Sequence, residues 1–126
     1  MQWFFTVKNC KSIRIGFADY KYKYFIKEIK MPLFITLWKY TSEGLRDIKN
    51  TALRFEAVKK IIEANGGKLV KIYGLIGEYD IITIMEMPNK STLASTILKI
   101  AASGRIVPKT LQALPIEEFL RITEEI

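Results

Sequence analysis

The chain has 126 residues, 49% of them hydrophobic and 26% charged, with one cysteine, no histidine and a formal net charge of +7. That length suits one domain with one core, and the lone Cys10 excludes an internal disulfide framework. Without histidine, zinc sites built on Cys and His, Ser-His-Asp triads and imidazole proton shuttles are excluded, so catalysis would fall to carboxylates, Lys, Tyr, Arg or hydroxyls.

No apolar run approaches the roughly 18 residues a membrane helix needs. The first residues, MQWFFTV, lead into a lysine-rich stretch without an apolar signal region. The expectation is a cytoplasmic protein with no metal and no cofactor. Residues 1–30 carry six lysines, one arginine and two acids, and so hold five of the seven net positive charges. The charge is therefore no sign of a basic face on the rest, and neither a nucleic-acid nor a membrane partner is expected.

Lys, Ile, Phe, Tyr and Asn fill 18 of those first 30 positions. All five have AT-rich codons, and Met31-Pro32-Leu33 resembles a natural start. Residues 1–30 are thus expected to be an extension, disordered or a mis-assigned start, with one domain over 31–126. The rival reading is a basic arm in which Lys21, Lys23, Lys27 and Lys30 interleave with Tyr20, Tyr22 and Tyr24.

From Met31 the elements follow in order. LFITLWKY reads as a strand through its β-branched and aromatic content. Thr41-Ser42-Glu43 opens a helical region to Ala64, bent or broken near Asn50-Thr51, with Leu53, Val58, Ile61 and Ile62 on its apolar face. Asn65-Gly66-Gly67 stops it. KLVKIYGLI is a second strand, GEYD a tight hairpin turn, and YDIITIMEM a third strand. Ser91 starts another helix with Leu93, Ala94, Ile97, Leu98 and Ala101 on its apolar side, ending near Ser103-Gly104. RIVPKTLQAL is a fourth strand, whose Pro108 suits a sheet edge or a bulge better than a central ladder, and Pro115 begins a C-terminal helix.

The order β-α-β-β-α-β predicts an α+β, ferredoxin-like fold. Helices in this arrangement cover one sheet face, yet LFITLW, KIYGLI and DIITIM are apolar in both phases. A second copy is the simplest cover, giving a homodimer or larger assembly whose sheets close into an eight-stranded barrel. The aliphatic sets Ile35 and Leu37, Val70 and Ile72, and Ile82 and Ile84 suit packing against helices. The mixed sets Thr36 and Trp38, Lys71 and Tyr73, and Thr83 and Met85 suit the space between two sheets, as a ligand cavity or a filled interface.

Three blocks, MPLFITLWKYTSEGLRDIKN, GGKLVKIYGLIGEYDIITIMEMP and TLQALPIEEF, resemble the GYD domain family over Met31 to about Phe119. The resemblance implies a dimeric α+β-barrel fold and little about activity. It places the family motif on Gly77, Tyr79 and Asp80, with Glu78 as the intervening acid, and matches Gly44, Arg46, Ile48 and Lys49 to a glycine-led helix segment. Gly104-Arg105-Ile106-Val107-Pro108 departs from the family's glycine-Asn-Val-Arg-Thr type of run. The hairpin is also similar to the effector-binding domain of leucine-responsive regulators, which implies amino-acid binding at subunit interfaces.

The residues support competing uses. Gly77 supplies positive φ to a turn and Asp80 accepts from turn N–H groups. Alternatively, Glu78 and Asp80, two apart on an extended chain, form a carboxylate pair able to share a proton. Lys71 beside Tyr73 is either a base or anion anchor, or a sheet-edge lysine in water. Arg46 and Lys49 form either a solvated face or an anion clamp. The leading expectation is a dimer binding a small anionic molecule through Trp38, Arg46, Lys71, Tyr73, Tyr79 and Asp80. The others are a cofactor-free isomerase or monooxygenase-like enzyme using Asp80, Glu78, Tyr79 or Lys71, a stand-alone amino-acid effector module, and a structural module.

Overall fold

The computed structural model describes residues 31–126; the expectations for residues 1–30 lie outside the described residues. The body, Met31–Ala113, contains β1 (Leu33–Tyr40), α1 (Ser42–Arg46), a 3-10 turn (Ile48–Asn50), α2 (Thr51–Ala64), β2 (Lys68–Gly74), β3 (Ile81–Glu86), α3 (Lys90–Ala101) and β4 (Ile106–Ala113). A separate helix, α4 (Ile116–Glu124), follows Pro115. The sheet order is β2-β3-β1-β4 with every pair antiparallel. This is the ferredoxin-like α+β arrangement expected from the order of elements.

Local chemistry sets the boundaries. Thr41 caps α1 by accepting from the Gly44 amide at 3.1 Å, as its hydroxyl allows. The break before α2 falls at Asn50-Thr51, but Asn50 makes no side-chain cap bond there; its side-chain amide donates to Asp47. Helix α3 begins at Lys90, one residue earlier than expected, because Asn89 caps it by accepting from the Thr92 amide at 2.8 Å. Gly66 and Gly104 take φ of +82° and +76° just past α2 and α3, the left-handed stops that glycine accepts at no steric cost.

The core lies between the sheet and α2 and α3. It joins Phe34, Trp38, Ile81 and Met85 from the strands to Ile62, Leu93, Ile97 and Ile100 from the helices. This reverses the expected faces of β1 and β3. Phe34, Thr36 and Trp38, with Ile81, Thr83 and Met85, are buried toward the helices, whereas Ile35, Leu37, Ile82 and Ile84 alternate with them. The reason is hydrogen bonding. Trp38 Nε1 donates to Thr83 Oγ1 at 3.0 Å, and the Thr36 and Thr110 hydroxyls pair at 3.0 Å. Polar atoms that satisfy one another are buried at little cost.

On β2 a register irregularity between Leu69 and Lys71 lets both Leu69 and Ile72 pack on the core. Val70, expected beside Ile72, is exposed; such a bulge is what turns an alternating strand out of phase. Leu53 and Leu98, read as helix core positions, are also exposed, while Ile100 takes a buried position instead. Pro108 faces Trp38 on the edge strand β4. The Trp38 carbonyl is taken by the Asp80 amide on the β3 side, so the missing proline N–H costs no β1–β4 bond.

Close approach requires glycine at position 44. Helix α1 docks on the loop before β4 through Thr41 N–H to the Arg105 carbonyl, 3.1 Å, and Thr41 Oγ1 to the Gly104 carbonyl, 2.7 Å. A Cβ on Gly44 would lie 2.1 Å from the Arg105 carbonyl oxygen. Gly44→Ala is therefore expected to destabilise by about 1–3 kcal/mol. Gly74→Ala, whose added Cβ meets nothing within 4 Å, should stay within about 0.5 kcal/mol of the parent chain. Urea midpoints of the two variants check this; equal midpoints would contradict the docking.

Candidate functional site

The β2–β3 connection is wider than a tight turn. Beyond the Gly74–Ile81 pair, the Leu75 amide donates to the Asp80 carbonyl at 2.8 Å, leaving Ile76 to Tyr79 as the loop. Gly77 has φ of +139°, a region other residues rarely enter. Asp80 is bound on three sides. Its carbonyl closes the loop, its amide donates to the Trp38 carbonyl at 2.9 Å, and its carboxylate Oδ2 accepts from the Tyr40 amide at 2.8 Å. The side chain thus extends the β1–β3 ladder beyond the point where β3 begins. Glu78 is exposed in the loop and Tyr79 is partly buried. The two acids occupy different surroundings: one is a backbone acceptor, the other faces water.

The remaining expected site residues are dispersed. Lys71 and Tyr73 pair with Ile84 and Ile82, so both sit on the sheet face away from the helices. Arg46 is exposed in the last turn of α1. Trp38, expected between two sheets, is 2% exposed in the core on the opposite side. The open face therefore carries Ile35, Leu37, Ile82 and Ile84, with Tyr73, Val107 and Leu111 exposed at 52%, 56% and 50%. Lys39, Lys71 and Lys109 are exposed around this apolar centre.

The helix side holds a second feature, a cleft of about 190 Å³ between the sheet, α2, the end of α3 and the start of β4. Trp38, Ile72 and Ile81 line it from the sheet, and Val58, Ile61 and Ile100 from the helices. Its polar lining includes Arg54, Lys99 and Arg105. Asp47 accepts from Arg54 and lies 3.4 Å from Arg105 Nε. Sequence reasoning missed this cluster. Asp47 and Arg54 meet across the α1–α2 break, and Arg105 arrives from the far end of α3, where it had registered only as a departure from the family pattern.

The profile of the GYD domain family matches residues 34–123, and the chain belongs to that family. A relative from Thermus thermophilus, described as a glutamine synthetase and cystathionine beta-lyase binding protein, is 29% identical over 91 residues, covering 71% of this chain and 96% of the relative. The fold is also similar to the crystal structure of the leucine response regulatory protein of Mycobacterium tuberculosis, with a TM-score of 0.51 and 11% identity. That likeness covers 67% of this chain, which spans about half of the regulator. Among the described residues, no helix is long and apolar enough to cross a membrane.

The geometry predicts separate fates for the two acids of the loop. Asp80→Ala strands the Tyr40 amide and should cost about 1–3 kcal/mol. Asp80→Asn retains an acceptor oxygen and should cost less, and Glu78→Gln should fall within about 0.5 kcal/mol of the parent. Denaturant titration of the three variants reads this order; a Glu78→Gln loss matching that of Asp80→Ala would contradict it.

Proposed function

We propose that this chain is a non-catalytic binding protein that pairs through its open sheet face and docks onto a metabolic enzyme. The observation that carries the pairing is the composition of that face. Four strands present Ile, Leu, Val and Tyr side chains on the side of the sheet opposite α2 and α3. An apolar centre with a charged rim is the anatomy of a protein interface, and a two-fold axis lets one patch serve both partners. Pro108 on the edge strand β4 discourages edge-to-edge extension, which favours face-to-face pairing. In the pair, Lys71 and Tyr73 face the enclosed space between sheets, where a small anionic molecule would meet them.

The binding reading over an enzymatic one is supported by the loop. Asp80, the strongest acid-base candidate by sequence, spends its carboxylate on the backbone of β1. Glu78, Lys71 and Arg46 lie exposed on different elements, so among these candidates no acid and base converge on one reacting atom as general acid-base chemistry requires. The partner class comes from the Thermus relative, whose description names glutamine synthetase and cystathionine beta-lyase. We take glutamine synthetase of the same cell as the first partner to test.

Light scattering at micromolar concentration should return twice the chain mass, and Ile84→Glu on the open face should return the single-chain mass with the circular dichroism of the folded protein. Immobilised chain should capture purified glutamine synthetase in a concentration-dependent way. A single-chain mass for the parent protein would overturn the pairing, and lack of capture of glutamine synthetase would overturn the partner assignment.

A further inference from the structure

The cleft on the helix side goes beyond the pairing face, lies on the opposite side of the sheet and is independent of it. Its interior is apolar and its cations outnumber its anions. Among the described residues, Arg54, Lys99 and Arg105 line it and no Asp or Glu does. The nearest acid, Asp47, serves two guanidinium groups at once. One carboxylate does not saturate them. Arg54 Nη1 and Arg105 Nε are both buried without a hydrogen-bond partner among the described residues, although Arg105 Nε lies within ion-pair distance of Asp47. Buried donors left unpaired cost free energy, more so on charged groups. A second anion at this rim would recover that cost through charge-assisted bonds, for which guanidinium is well suited.

Size and lining define the rest of the ligand. About 190 Å³ is smaller than the ~300–1,000 Å³ of pockets for drug-sized molecules but somewhat above the roughly 150 Å³ apolar cavity known to admit a benzene ring. Trp38 lines the cleft with its indole N–H already satisfied by Thr83, so the sheet wall asks for apolar contact. Val58, Ile61 and Ile100 ask for the same from the helices. We infer that this cleft binds a small monocarboxylate whose body is about one aromatic ring, with the ring against Trp38 and the carboxylate at Arg54 and Arg105.

The probe is 3-phenylpropionate, observed by saturation-transfer NMR and titrated against the full chain. Saturable binding at or below about 1 mM is expected for a ligand of this size. The uncharged 3-phenylpropanamide should bind at least tenfold more weakly. Arg54→Gln with Arg105→Gln should weaken the acid at least tenfold while leaving the amide unchanged. Because Arg54 also holds Asp47, a second variant guards the test: Ala57→Phe, at an exposed position that lines the cleft, should fill it and abolish binding with the fold intact. Lys90→Gln, at the exposed first residue of α3 and outside the cleft lining, should leave binding unchanged. Equal affinity for acid and amide, loss of binding in Lys90→Gln, retention in Ala57→Phe, or no saturable binding would each overturn the assignment. None of these outcomes bears on the mass measured by light scattering, so the site and the pairing stand or fall separately.

Discussion

The hydrogen bond from the Trp38 indole to the Thr83 hydroxyl, 3.0 Å and buried, sets the phase of the whole sheet. Trp38 pairs with Ile81 and Thr36 with Thr83 across the β1–β3 ladder, so Thr83 is the diagonal neighbour of the indole, within reach on the same face. An indole buried without an acceptor would be costly. Once Thr83 supplies one, Phe34, Thr36 and Trp38 turn toward the helices together with Ile81, Thr83 and Met85. Strand alternation then leaves no choice for the others: Ile35, Leu37, Ile82 and Ile84 must take the open face. The apolar open face and the tryptophan-lined cleft are two consequences of one phase.

Asp80 ties the loop to the same arrangement. By bonding the Tyr40 amide and the Trp38 carbonyl, it holds the last residues of β1 against the start of β3. Tyr40 then reaches Thr51 at the head of α2, and the Arg105 carbonyl fixes Thr41 from the far side. The motif acid and the glycine-led helix therefore act on one junction, the exit of β1. Gly44 belongs to it through its close approach to Arg105. A motif with the appearance of a reactive cluster is explained, for Gly77 and Asp80, by backbone geometry.

The order of elements was legible because periodicity, caps and breakers agreed along the chain. Strand and helix positions, the break at Asn50-Thr51, the glycine stops and the edge position of Pro108 all follow from local chemistry. The sheet faces were not legible, since β1 and β3 are apolar in both phases and hydropathy alone does not choose between them. Treating threonine as a polar marker pointed the wrong way, because Thr36 and Thr83 find their partners inside. The irregularity in β2 was also silent, with no glycine or proline at Val70 to announce it. The Asp47, Arg54 and Arg105 cluster depends on a contact between residues 58 positions apart, which no local pattern encodes.

The two faces of the sheet also differ in what they can recognise. The open side is broad and apolar, with lysines at its margin; it suits a partner of matching shape and gives little chemical selectivity by itself. The helix side is narrow, with guanidinium donors held by a single carboxylate, and a buried unpaired donor discriminates strongly for a group that completes it. Arg105 connects the cleft to the β1 exit: its side chain lines the cleft while its backbone carbonyl anchors Thr41 and abuts Gly44. An anion drawing on the Arg105 side chain would therefore act on the residue that seats α1, and through Tyr40 and Asp80 on the loop at the edge of the open face.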